Sequence, residues 1–301
     1  MTNRPVHIDK IGFLDVPTSF SFDGGKLIPI EQYQKACSWV RRHCHQDGFV
    51  YPPISQTGRL NVRTSQLARI PHTKRPALLH RLPASHNLIL AGIKNPQKAR
   101  TSLAGFVTHS FGYLYGTRLQ FWDWWQEGRV PIKSTINLRI NSDSTERFLS
   151  KAIVTWKRLD RRSRLVASNL LYFHCKAGAA EWDWERFHLE YTVTDACFAI
   201  AKEKDGCHAN RHADRIRELC STYGLVFKPK WVSLFVRLRN ELFPEALWDR
   251  GHPNSPRKSM SIMAAHHLRR FNHRLIAAIF AGPSDYTKSA WWYIDPDTFT
   301  I

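Results

Sequence analysis

Trp231-Val-Ser-Leu-Phe-Val-Arg-Leu-Arg-Asn-Glu-Leu-Phe-Pro-Glu-Ala-Leu-Trp-Asp249 decides how the second half of this chain folds. It reads as an apolar helical run closed by Arg239 and Asn240. Pro244 cannot donate a hydrogen bond to the carbonyl of Asn240, and its ring clashes there, at a cost of roughly 3 kcal/mol in a continuing helix. The helix is therefore expected to end near Leu242 or Phe243. Pro244 then opens a short new turn with Glu245 close behind it, near enough to pair with Arg239 and occupy it.

Outward from this segment the grammar stays helical. Asn141-Ser-Asp-Ser-Thr-Glu146 is rich in helix-capping residues, and a long amphipathic run follows to about His174. A second helix fits 182–202, where Trp184, Phe187, Tyr191, Thr194 and Phe198 step by three or four along one face. A third fits 208–223, with Gly224 just past its end. The last fits 259–280, carrying Ile262, Leu268, Phe271, Leu275 and Ile279 on one side before Gly282-Pro283 stops it. Five helices with modest loops make an antiparallel bundle the default.

Before about Ser134 the pattern is strand-like. Ile11-Gly-Phe-Leu-Asp-Val16, Leu27-Ile-Pro-Ile30, Asn87-Leu-Ile-Leu-Ala91 and Leu114-Tyr-Gly-Thr-Arg-Leu-Gln-Phe121 are short apolar or alternating runs broken by turn formers. One helix, 31–45, intervenes. The expected fold class is α+β, with a basic strand-rich domain over 1–143 and an antiparallel helical bundle over 144–301. The chain holds 301 residues at 43% apolar content, enough for two medium cores.

The net charge is +19. From Gly48 through Trp122 there is no Asp or Glu, while Arg59, Arg63, Arg69, Lys74, Arg75, Arg81, Lys94, Lys98, Arg100 and Arg118 all fall inside. A stretch that long cannot neutralise its field by local ion pairs, so it is set up to meet a polyanion. Arg59, Arg63, Lys74, Arg75, Arg81, Lys94, Lys98 and Arg100 are the candidate nucleic-acid contacts. The plainer alternative is a basic surface serving solubility or facing an acidic protein. Trp122, Trp124 and Trp125 border the stretch and could stack on bases, although most tryptophans fill cores.

Six scattered cysteines without a CxxC pair suit reduced thiols, and no metal or cofactor is expected. The start, Met-Thr-Asn-Arg-Pro-Val-His-Ile-Asp, lacks the basic-then-apolar pattern of a secretion signal, and no apolar run is long enough to span a bilayer. A soluble cytoplasmic protein without membrane contact is expected.

Taken together, Arg239-Asn240 late in the fourth helix, the long final helix, Glu181-Trp-Asp-Trp-Glu-Arg-Phe187 and Ser289-Ala-Trp-Trp292 resemble the HEPN superfamily of small helical-bundle domains, many of them ribonucleases. They look like a bacterial HEPN-like family related to ApeA-type phage-defence proteins. The resemblance covers about residues 145–292 and is weaker before them, resting there on Asp123-Trp-Trp-Gln-Glu-Gly-Arg-Val-Pro-Ile-Lys133. It implies an Arg-x(4–6)-His motif, a homodimer through the bundle, and RNA as partner. Here Pro244, Glu245 and Ala246 stand where the histidine belongs.

Metal-free RNA cleavage needs a base for the 2′-OH proton, an acid for the leaving oxygen and a cation on the phosphorane. Arg239 offers a planar fork to phosphate oxygens, and Asn240 can orient a phosphate or a sugar hydroxyl. Pro244 has no titratable group, so the expected protein binds RNA and is catalytically impaired. One alternative keeps an active nuclease by recruiting a histidine from elsewhere, with His266, His267, His273 or His252 as candidates. Another reads only charge, as a DNA-binding or scaffolding protein.

Overall fold

Alternating burial at the start of the chain builds a small antiparallel sheet. In the computed structural model, residues 6–51, 58–61, 63–69, 82–93, 95–124, 128–253, 259–293 and 296–301 are described. The N-terminal elements are β1 (Val6–Gly12), β2 (Phe20–Phe22), β3 (Gly25–Pro29), α1 (Tyr33–His43), β4 (Phe49–Val50), β5 (Gly58–Asn61), β6 (Gln66–Arg69), β7 (His86–Ala91), α2 (Pro96–Ala99), α3 (Leu103–Tyr115), β8 (Gln120–Phe121), β9 (Val130–Pro131) and β10 (Leu138–Arg139). Strand order in the main sheet is β2-β3-β7-β1-β8. Its register sets Leu27 opposite Leu88 and Phe20 opposite Leu27. These side chains are buried, each contributing roughly 1.5–3 kcal/mol.

Then come α4 (Ser142–Arg158), α5 (Arg161–Gly178), α6 (Asp183–Asp205), α7 (His212–Tyr223), α8 (Pro229–Glu245), α9 (Ser259–Ala281), α10 (Asp285–Lys288) and β11 (Asp297–Thr298), which pairs parallel with β10. The protein is thus a mixed α and β fold, a small antiparallel sheet with several helices. Among the described residues no helix is long and apolar enough to cross a membrane.

Three expectations about the elements are corrected. The run from Leu114 is not a strand: Leu114 and Tyr115 end helix α3, and only Gln120 and Phe121 pair as β8. Ten of the thirteen residues of α3 are buried, so the helix has no polar face and shows no amphipathic period to read. Gly112 lets it close on its neighbours, since a Cβ there would lie 3.0 Å from Cys175 Sγ and 2.9 Å from the Thr117 carbonyl. The run from Ser142 is two helices, because Asp160 caps the Ser163 N–H at 2.6 Å and starts α5 afresh.

The third correction concerns Pro244, which lies inside α8 rather than beyond it. Its missing N–H forfeits only the bond to the exposed Asn240. The last turn closes instead through the Ala246 N–H on Leu242 and the Leu247 N–H on Glu241, with Ala246 in the left-handed region at φ +55°. Glu245 stays exposed and forms no ion pair with Arg239.

One apolar core runs from Ile11 to Phe299 and crosses the expected division at residue 143. Helix α3 is the bridge: it packs on α5 and α4 from within the strand-bearing part. A smaller cluster around Phe13, Tyr33, Val40 and Val130 lies under α1.

Candidate functional site

Helix α8 begins with Pro229 at its first position and buries Val232, Phe235, Leu238 and Leu242 at steps of three and four. Arg237 and Arg239 flank Leu238 and so leave the buried stripe on opposite sides. Their fates differ. Arg237 donates to Glu241 at 2.9 Å and to Asp249 at 3.0 Å. Glu241 also accepts the Arg250 N–H, and Asp249 accepts the Ser261 hydroxyl. Glu241 and Asp249 are therefore committed to Arg237 and the turn that follows.

Arg239 is left among aromatic and amide groups. Its guanidinium lies over the Phe243 ring at 5.1 Å and contacts Asn240 Oδ1 at 3.4 Å. Its Nε is buried and finds no hydrogen-bond partner among the described residues. Phe243 in turn stacks on His188, with ring centres 4.4 Å apart and planes 15° from parallel, and meets Tyr191 edge-on at 5.9 Å. Tyr191 lies 5.7 Å from the His212 ring. Three helices each supply one stripe: His188, Tyr191 and Asp195 from α6, His212 and Arg215 from α7, and Arg239 and Phe243 from α8. Steps of three or four keep each set on one face.

The electrostatics follow from this crowding. Burial pushes His212 below the usual imidazole range, and the charge of Arg239 adds to it against the opposing pull of Asp195, 3.7 Å away. Its ring is neutral at neutral pH. Burial raises the Tyr191 phenol, which therefore stays protonated despite Arg239. A cationic fork and a neutral imidazole thus share one surface, above the buried Tyr191 ring.

The other histidine candidates lie elsewhere. His267 is buried between Trp231 and Trp291, its ring 4.2 Å from the former and 6.3 Å from the latter. Trp231 precedes Arg239 by eight residues, about 12 Å of helix rise, so His267 cannot serve it. His266 is exposed and lies 3.5 Å from Arg186 near the start of α6. His273 is fully buried, bonded to the Tyr286 hydroxyl at 2.6 Å and stacked on Tyr113. His252 is exposed beyond the Trp248–Gly251 bridge. His188 and His212 escaped the sequence reading: His212 is 27 residues from Arg239, and no linear spacing ties the two.

Among the basic candidates, Arg63 and Lys98 are exposed, and Arg59 lies on β5. Lys74, Arg75, Arg81 and Lys94 lie outside the described residues. Arg100 is a correction. Its fork grips Asp9 at 2.7 and 2.8 Å and Asp123 at 2.8 and 2.9 Å. A stretch without acids in sequence still meets acids in space, here from β1 and from the residue just beyond the stretch. Asp9→Ala is expected to cost about 2 kcal/mol, because a buried charged hydrogen-bond partner is lost; urea unfolding of the variant checks it. Arg118 is buried as well. Trp122 and Trp124 are 40% and 39% exposed, more than core packing predicts, and Lys10 lies 6.0 Å above the Trp122 ring.

Comparison with family models, curated proteins and solved structures finds no match.

Proposed function

We propose that the protein binds RNA, with the Arg239 face of α6, α7 and α8 receiving the phosphodiester backbone on a HEPN-like bundle. One observation carries the reading: Arg237 takes Glu241 and Asp249, Asp195 lies against His212 and Arg215, and among the described residues Arg239 forms no ion pair and meets Asn240 and the Phe243 ring. A half-buried guanidinium that forms no ion pair favours an external anion, and flanking rings suit bases. By the HEPN resemblance, two copies pair through the bundle in phage defence or toxin-like control of RNA. With Pro244 in the histidine's place, the primary role is binding.

The test is fluorescence anisotropy with single-stranded RNA and same-sequence DNA at two salt concentrations. Arg239→Ala is expected to weaken RNA binding about tenfold and to reduce the slope of log affinity against log salt by about 0.7, one phosphate contact on a single strand. Equal affinity for RNA and DNA favours the charge-reading alternative. Absence of binding at low salt overturns the proposal.

A second reading, metal-independent cleavage, rests on the placement of His212. A neutral imidazole on the Arg239 face is chemically fit to take a 2′-OH proton while the guanidinium stabilises the phosphorane and the departing 5′-oxygen takes its proton from water. It predicts products ending in 2′,3′-cyclic phosphate that disappear in His212→Ala. Intact RNA after long incubation at several pH values overturns it.

A further inference from the structure

Where Tyr51 and helix α6 approach each other, an open cleft of 580 Å³ lies beside the Arg239 face. That size is in the range of small-ligand sites. Its lining mixes three chemistries. Tyr51 and Trp184 supply flat rings, Lys176 supplies positive charge with the buried Arg118 behind it, and Glu181 and Glu185 supply carboxylates. Arg129 also lines it, but its role is internal: it donates to the Ala179 and Ala180 carbonyls at 2.7 and 2.8 Å, at the end of α5, and stacks on Phe49. Glu185 accepts the Trp182 N–H at the start of α6, whereas Glu181 is exposed.

His188 joins this cleft to the Arg239 face. It lines the cleft, and its ring stacks on Phe243, which carries the Arg239 guanidinium. A row of π-faces and a cation therefore leads from the cleft to the place where the backbone phosphate was assigned.

We infer that the cleft is a nucleobase pocket for an RNA residue next to the phosphate held at Arg239, selecting bases that carry an exocyclic amino group. The inference rests on the RNA-binding reading above. Rings of Tyr51 and Trp184 offer stacking surface to any base, so they give affinity without choice. Choice comes from Glu181. A carboxylate accepts from the amino groups of adenine, cytosine or guanine, whereas the one donor on the pairing edge of uracil, N3–H, lies between two carbonyl oxygens that repel the carboxylate. Lys176 disfavours an uncharged apolar ligand, which would desolvate it without compensation, and it suits the neighbouring ribose-phosphate.

The experiment measures anisotropy of short labelled A, C and U oligoribonucleotides with the full chain and three variants. The wild type is expected to favour A and C over U several-fold. Glu181→Gln abolishes that preference with little change in the affinity for U, and its exposed position leaves the fold intact. Trp184→Ala weakens all three about tenfold, and Trp184→Phe, which keeps a ring, restores most of the loss. Arg239→Ala weakens all three equally. If Glu181→Gln binds all three as the wild type does while Arg239→Ala still weakens RNA, the pocket is overturned and the RNA reading stands. If the wild type fails to bind any of the three at low salt, both fall.

Discussion

Glu190→Ala is expected to destabilise the protein by about 3–5 kcal/mol, lowering its thermal midpoint by on the order of 5–10 °C. Glu190 is wholly buried and is the hub of a polar network between α5, α6 and α9. It accepts from His174 Nδ1 at 3.0 Å, from Arg269 at 2.8 Å and from Asn272 Nδ2 at 2.8 Å. Burial alone would raise its carboxyl, but His174, Arg269 and Asn272 outweigh burial and hold it below the usual range. Arg269 is itself only 5% exposed and also donates to Thr135 and to the His174 carbonyl. Without Glu190 that guanidinium stays buried without its counter-charge. Thermal and urea unfolding check this, together with Glu190→Leu combined with Arg269→Met. Removing both charges should recover much of the stability that either single change loses. A Glu190→Ala midpoint within about a degree of the wild type, or no coupling in the pair, contradicts it.

Acid should destabilise the fold earlier than carboxylate titration alone predicts, beginning near pH 6.5. Burial pushes His86, His109 and His267 down to about 4, with Arg118 adding to it at His109 and Arg270 at His267. Burial lowers His273 further. Unfolded, each titrates near 6.5. Between those values the unfolded chain binds more protons, so stability rises with pH across the window and is lost as pH falls from about 6.5 towards 4. At pH 5 each histidine accounts for on the order of 2 kcal/mol. The Glu190 contribution has a depressed folded pKa and persists through this window, failing only at lower pH. Urea midpoints at pH 7.5 and pH 5 measure the effect, and His86→Asn should shrink it. Equal midpoints at the two pH values would contradict the assignment of these histidines as buried and neutral.

The helices of the second half were legible because each keeps one apolar stripe and a polar remainder, as α8 does with Val232, Phe235, Leu238 and Leu242. Helix α3 was not, since burial on all sides removes the period that betrays a helix. The break at Asp160 is a single capping residue inside the charged segment Lys157-Arg-Leu-Asp-Arg-Arg162, where helical periodicity on either side hides it. The candidate site was half visible: Arg239 stands out beside Asn240, but which arginine remains without a carboxylate depends on where Glu241 and Asp249 point.

The sequence by itself determined the mixed strand and helix content, the strong positive charge, and the position of Arg239 near the end of a helix, because periodicity, composition and capping act over a few residues. Tertiary structure alone decided that Arg100 answers Asp9 and Asp123, that His267 is a core histidine, and that His188 and His212 gather around Arg239. Those outcomes depend on distances between residues far apart in the chain. No local propensity encodes them: the packing of α6, α7 and α8 gathers the residues around Arg239, and the approach of β1 and of the turn after β8 gives Arg100 its carboxylates.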